Sequence, residues 1–154
     1  MIITSPSFAE GDPIPRKFTC EGGDINPELQ IQNVPPEAGS LALVVHDPDA
    51  PIEGGFVHWV VWNIDPGTVL IKEESVPPGA MEGKNGAGRI GYMGPCPPPG
   101  NFHHYEFRLY AVAGPIDIPE GSSVNDLMES MEGRVVGKAL LTGLYSKGDG
   151  SGGM

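Results

Sequence analysis

An all-β sandwich is the fold class this sequence predicts, and three observations predict it. Its 17 prolines and 23 glycines are spread along 154 residues and interrupt nearly every would-be long helix. They fall mostly between short runs rich in β-branched and aromatic residues, the spacing of strands joined by turns. A single domain near this size can bury roughly 70% of its unfolded surface, which is enough for a packed core. No internal repeat or linker divides the chain, so one domain is expected over residues 1–154, with the Gly-rich end 147–154 frayed.

The elements follow in order. Leu29-Gln30-Ile31-Gln32 alternates like a half-buried strand. Leu41-Ala42-Leu43-Val44-Val45 is continuously apolar, as in a strand covered on both faces. Phe56 to Ile64 reads as a third strand. Strict alternation sets His58, Val60, Trp62 and Ile64 on one face and Val57, Trp59, Val61 and Asn63 on the other. Lys84-Asn85-Gly86-Ala87-Gly88-Arg89 reads as a mobile loop leading to Gly91-Tyr92, and it lacks the Gly-Lys-Ser/Thr ending of a phosphate loop.

Gly94-Pro95-Cys96-Pro97-Pro98-Pro99-Gly100 is a loop locked by proline, which fixes φ and removes N–H donors. It runs into a strand in which His103, Tyr105, Phe107 and Leu109 share one face and His104, Glu106 and Arg108 the other. One helix is expected. Ser123-Val124-Asn125-Asp126 has capping-box form, and Val124, Leu127, Met128 and Met131 make an apolar stripe that ends near Gly133. That stripe reads as core packing against a sheet rather than as a binding groove. Ala139 to Tyr145 supplies a last strand.

Charge narrows the function. Nine basic residues against 20 acidic ones give a formal net charge of -11. Such a field repels nucleic acid and anionic membranes, which demand Lys/Arg neutralisation of phosphates. No window approaches the roughly 20 apolar residues of a membrane span, so membrane insertion is not expected. Met1-Ile2-Ile3-Thr4-Ser5-Pro6 lacks the basic start and apolar run of a signal peptide. A cytoplasmic location is the default, although a trimmed secreted chain would look the same. Cys20 and Cys96 are too few for a disulfide framework and too far apart for a Cys-x-x-Cys site. A bridge between them stays open, against the rarity of cytosolic disulfides.

The residues with chemistry cluster at strand ends. Asp47-Pro48-Asp49-Ala50-Pro51 follows the buried strand directly, and its prolines pin two carboxylates on a turn. Asp49 suits a structural Asx-type turn. Asp47, at the end of an apolar strand, needs a partner, and His58 or His103 can supply it. Alone, His58 in an apolar strand reads as a satisfied core histidine. His103 beside Tyr105 shifts that balance toward a site of two imidazoles, a phenol and a carboxylate. Imidazoles offer N–H donors to an anion while an aspartate fixes the tautomer. His104 points away and reads as a surface residue. A Cys96–His–Asp thiol nucleophile has the right residue types but no helix N-terminus to lower the thiol pKa. A zinc site from His58, His103 and Asp47 lacks compact ligand spacing, so no metal or other cofactor is expected.

These segments, taken in order, resemble the phosphatidylethanolamine-binding protein family, in its bacterial and archaeal Raf-kinase-inhibitor-like branch. The resemblance is carried by Ile14-Pro15-Arg16-Lys17-Phe18-Thr19-Cys20-Glu21-Gly22, Asp47-Pro48-Asp49-Ala50-Pro51 and Val57-His58-Trp59. It continues in Gly91-Tyr92-Met93-Gly94-Pro95-Cys96-Pro97-Pro98-Pro99-Gly100 and His103-His104-Tyr105, and so covers nearly the whole chain. It implies a large antiparallel sheet packed on a smaller one, with one or two peripheral helices. It also implies a small pocket for phosphate-like anions such as phosphorylethanolamine head groups. Asp47, Pro51, His58, His103 and Tyr105 would form that pocket, with the loop from Gly94 and Pro95 to Gly100 as its wall.

Two positions depart from the family pattern. His104 stands where arginine is common, which would weaken any salt bridge made there, and Asn26-Pro27 replaces the usual serine-proline, a mild change. The expected function is a non-catalytic binding protein for phosphate or a phosphorylated head group. The alternatives are a serine protease or kinase-pathway inhibitor acting through surface loops and, further off, a Cys96-dependent hydrolase. A homodimer is the default that relatives imply.

Overall fold

A computed structural model describes residues 1–147, so the end expected to fray lies, Lys147 apart, outside the described residues. The elements are β1 (Ile2–Thr4), β2 (Leu29–Gln32), β3 (Ser40–Asp47), β4 (Phe56–Ile64), β5 (Leu70–Ile71), β6 (Met81–Glu82), β7 (Phe102–Val112), α1 (Val124–Met131) and β8 (Val135–Ser146). A small sheet has the order β1-β2-β5 and a large one β6-β4-β3-β7-β8. Every pairing between these strands is antiparallel. The expected architecture is present, with one α-helix and a short 3-10 turn at Arg16–Phe18 beside the sheets.

The central position of β3, between β4 and β7, explains its unbroken apolar run. Leu41, Leu43 and Val45 join Ile3, Leu29, Ile31 and Ile71 in the core between the sheets. Ala42 and Val44 join Val60, Trp62, Tyr110, Leu127 and Met131 in a second core under the helix. The molecule therefore has three layers.

The helix forms as its sequence requires. The Ser123 hydroxyl accepts from the Asp126 amide at 3.1 Å, and the Asp126 carboxylate accepts from the Ser123 amide at 3.4 Å. Gly133, just past the end, takes φ 74°, a left-handed value that costs glycine little. Eight residues are too few to hold a helix alone. Burial of Leu127 and Met131, each worth about 2 kcal/mol, holds it to the sheet. The expected stripe is narrower than read, because Met128 is exposed.

Strict alternation fails twice in β4. Val45 pairs with Trp59 while His46 pairs with Val57, so His58 is an extra residue at a bulge. Trp59 and Val61 lie in the core between the sheets and Val57 packs against the helix-side core, which leaves His58 beside Tyr105 on the inter-sheet side. A second irregularity lies between Leu41 and Leu43, opposite Trp62 and Asn63. Asn63 adopts φ 55° there, and its amide side chain bonds both the N–H and the carbonyl of Ile116. Ile64 consequently joins Trp59 and Val61 rather than Trp62. The expected grouping of His58 and Ile64 with Val60 and Trp62 is thus corrected at both ends.

Lys84–Arg89 is a compact turn rather than a loose loop. Asn85 is buried, accepts from the amides of Ala87 and Arg89, and donates to the Gly91 carbonyl. Asn26, where serine is usual, is buried, donates to the Lys72 carbonyl at 2.9 Å and accepts from the Ser75 amide at 3.0 Å. Residues 11–14 run along the outer edge of β8, with the Ile14 amide donating to the Leu144 carbonyl at 2.7 Å. They lead the chain to Cys20, behind the proline loop.

Candidate functional site

One end of the inter-sheet face is polar. Along β3 the sequence Leu41, Leu43, Val45 continues to Asp47, and along β7 the sequence Leu109, Phe107 continues to Tyr105 and His103. The pairing of His46 with Glu106 sets these two strand ends side by side. The bulge in β4 adds His58. Apolar packing thus gives way to a carboxylate, two imidazoles and a phenol at the point where the large sheet meets its loops.

Each polar group but one is fixed. Asp47 is buried; one carboxylate oxygen accepts from the Asp49 amide at 2.8 Å and the other from His103 Nδ1 at 2.6 Å. The partner Asp47 needed is therefore His103. His58 Nδ1 donates instead to the Met93 carbonyl at 2.6 Å. Burial pushes the His58 pKa below its usual 6.5, the dominant effect among opposing ones. Tyr105 is different: its hydroxyl is buried without a hydrogen-bond partner. Burial first, then the charges of Asp47 and Asp49, hold its ionisation well above the ordinary phenol range, so it remains an O–H donor.

A cavity of about 390 Å³ opens over these groups. Asp47, His58, His103 and Tyr105 form its polar side. Ala50, Pro51, Ile52 and Phe56 line it from the turn after β3 and the start of β4, and Met93, Gly94, Cys96, Pro97 and Pro98 from the proline loop. Pro95, Pro99 and Gly100, also expected in the wall, are not in the lining, and the Pro95 carbonyl accepts from the Cys20 amide behind it. Gly94 is required by close packing, because its amide donates to Asp24 at 2.7 Å and a Cβ would strike the Phe18 carbonyl.

Cys20 and Cys96 are joined as a disulfide that ties the loop to the segment after Arg16–Phe18. The Cys96-dependent hydrolase loses its nucleophile, because no free thiol remains. Among the described residues no group of three or more His, Cys, Asp or Glu is arranged to hold a metal ion. His104 lies on the opposite face, as alternation requires, but is not idle: its backbone amide and its Nδ1 both contact one Asp49 oxygen, at 2.7 and 2.6 Å. The imidazole thus makes an ion-pair contact of its own at the position where arginine is common.

Phe56 and Met93 were not anticipated. Phe56 meets the His58 ring edge-on at 4.9 Å between centroids, and Met93 acts through its backbone, which no side-chain pattern announces. Phe56 did carry a signal, as an aromatic residue opening the strand two places before His58.

Residues 4–146 match the family model described as phosphatidylethanolamine-binding protein. A UPF0098 protein of Methanothermobacter thermautotrophicus is 43% identical over 153 residues, covering 96% of this chain and 100% of that one. A UPF0098 protein of Aquifex aeolicus is 40% identical, covering 96% and 89%. Among solved structures, a phosphatidylethanolamine-binding protein homologue of Chlamydia trachomatis superposes with a TM-score of 0.91 at 40% identity, covering 96% of this chain and 97% of that one. Escherichia coli YbcL, described as a member of the mammalian family, gives 0.89 at 30% identity, covering 95% and 98%. The chain belongs to the phosphatidylethanolamine-binding protein family. None of its described helices is long and apolar enough to cross a membrane.

Proposed function

We propose that this chain is a non-catalytic binding protein whose pocket takes phosphate or the phosphate group of a small phosphomonoester. One observation carries the reading: two imidazoles with their Nδ1 atoms already engaged, and a buried phenol with none of its bonds made, line a single cavity. The unused Nε2 atoms and the Tyr105 hydroxyl are the polar functions left for a ligand. Asp47 is a positioning residue, since its two oxygens serve the turn and His103.

Calorimetric titration of inorganic phosphate at pH ~6 and pH ~7.5, around the ordinary imidazole pKa, tests the reading. Tighter binding at the lower pH, and its loss in His103→Ala, is the expected result. Equal affinity in wild type and His103→Ala would sink it. The cytoplasmic setting meets one opposing observation, an exposed Cys20–Cys96 bridge of a kind that persists mainly in oxidising compartments. Thiol trapping in intact cells, reading whether these cysteines are bonded, decides that point.

A further inference from the structure

The hydrogen-bonding polarity of the pocket is specific enough to choose the protonation state of its ligand. A carbonyl only accepts, so the 2.6 Å contact with Met93 puts the hydrogen of His58 on Nδ1. A neutral imidazole so fixed offers a lone pair, not a proton, at Nε2. Burial favours that neutral form; the Met93 hydrogen bond, then Asp47 and Asp24, pull the other way, His46 reinforces burial, and burial prevails.

The remaining two functions differ. Tyr105 offers an O–H that finds no partner in the protein. His103 is held through Nδ1 by the Asp47 carboxylate 2.6 Å away, which leaves its Nε2 unengaged. No lysine or arginine among the described residues lines the cavity. The pocket thus presents the Tyr105 donor beside the His58 acceptor, with no lysine or arginine to reward a second ligand charge. A fully ionised phosphate would set an oxygen against the His58 lone pair.

The geometry points to a singly protonated phosphomonoester, ROPO3H⁻, as the ligand: its P–OH donates to His58 Nε2 while an ionised oxygen accepts from the Tyr105 hydroxyl. This rests on the anion-pocket reading above and adds to it the charge state and the nature of R. Pro51, Ile52, Phe56, Met93, Pro97 and Pro98 give the cavity apolar walls, and at about 390 Å³ it falls in the size range of small organic ligands. R is therefore a compact apolar or aryl group.

Phenyl phosphate and phenyl sulfate separate the possibilities, because they share size and aryl group but the sulfate ester carries no proton to donate. Both are titrated by calorimetry at pH ~6, where about half of a phosphomonoester is singly protonated. Phenyl phosphate is expected to bind at least about tenfold more tightly than phenyl sulfate, the cost of leaving a buried acceptor unpaired. In His58→Leu that ratio should fall to about one. The ratio is read on the wild-type chain, so a variant that fails to fold leaves the test intact. Equal affinities for the two esters in wild type would overturn the protonation reading while leaving the anion pocket standing. Absence of binding by phenyl phosphate and inorganic phosphate alike would overturn the pocket itself. Inorganic phosphate binding as tightly as phenyl phosphate would overturn the assignment of R.

Discussion

Two histidine–carboxylate pairs, Asp47–His103 and Asp49–His104, join the same two segments at the same 2.6 Å separation. Their side chains differ mainly in exposure: 4% and 8% in the inner pair, 39% and 56% in the outer. Alternation along β7 accounts for this, since adjacent residues must point to opposite faces. The inner pair is sealed under the cavity, where an unpaired charge is costly; the outer one is bathed in water and salt. Identical contacts therefore carry unequal weight, and a short distance alone says little about importance.

The largest effect should come from cutting the inner pair. Asp47→Ala leaves a buried imidazole without its partner and should cost about 3 kcal/mol in urea unfolding, with loss of phosphate binding. Tyr105→Phe comes next and splits function from stability. Removing a buried hydroxyl that has no partner should raise stability by about 1 kcal/mol while weakening phosphate binding about tenfold. A Tyr105→Phe protein less stable than wild type would mean that the hydroxyl is satisfied in the free protein.

Acid separates the two regions further. His58 has a folded-state pKa below its unfolded value, so the folded state binds fewer protons. Its neutral burial is fully tolerated above pH 6.5, and stability is lost as pH falls below that value. The Asp49 carboxyl is also held low, by hydrogen bonds from the His104 side chain and then its backbone. Its contribution is present above the ordinary 3.8 and is lost only as pH falls below it. Denaturant unfolding across pH should therefore show a loss setting in near 6.5 that disappears in His58→Leu. Asp49→Ala should leave that loss unchanged. The smallest effect belongs to this last variant at neutral pH: a shift within about 0.5 kcal/mol, shrinking further with added salt.

Much of this was legible in the chain, for identifiable reasons. Leu41–Val45 announced a strand covered on both faces, and Ser123 with Asp126 announced the helix start, because each signal is local. Asp47, His103 and Tyr105 could be grouped because each sits where an apolar strand meets a rigid loop. Residue type marks His58 as a site candidate, yet strict alternation places it on the wrong face. Only the register between β3 and β4 creates the bulge that turns it inward, and register is settled by pairing partners distant in sequence. Pro95 failed as a lining residue for a similar reason. Which side of a loop faces the cavity depends on what packs behind it, here the Cys20 segment.

The proline loop has a further consequence. Four of the seven residues from Gly94 to Gly100 have no amide hydrogen, and a disulfide pins the loop near its middle. Its shape is therefore written largely into covalent structure, and the unfolded chain has already lost much of the same freedom. A ligand arriving at this wall has little motion left to quench. Binding should leave almost no trace in amide exchange along the loop, and the ring nitrogens of His58 and His103 become the informative reporters.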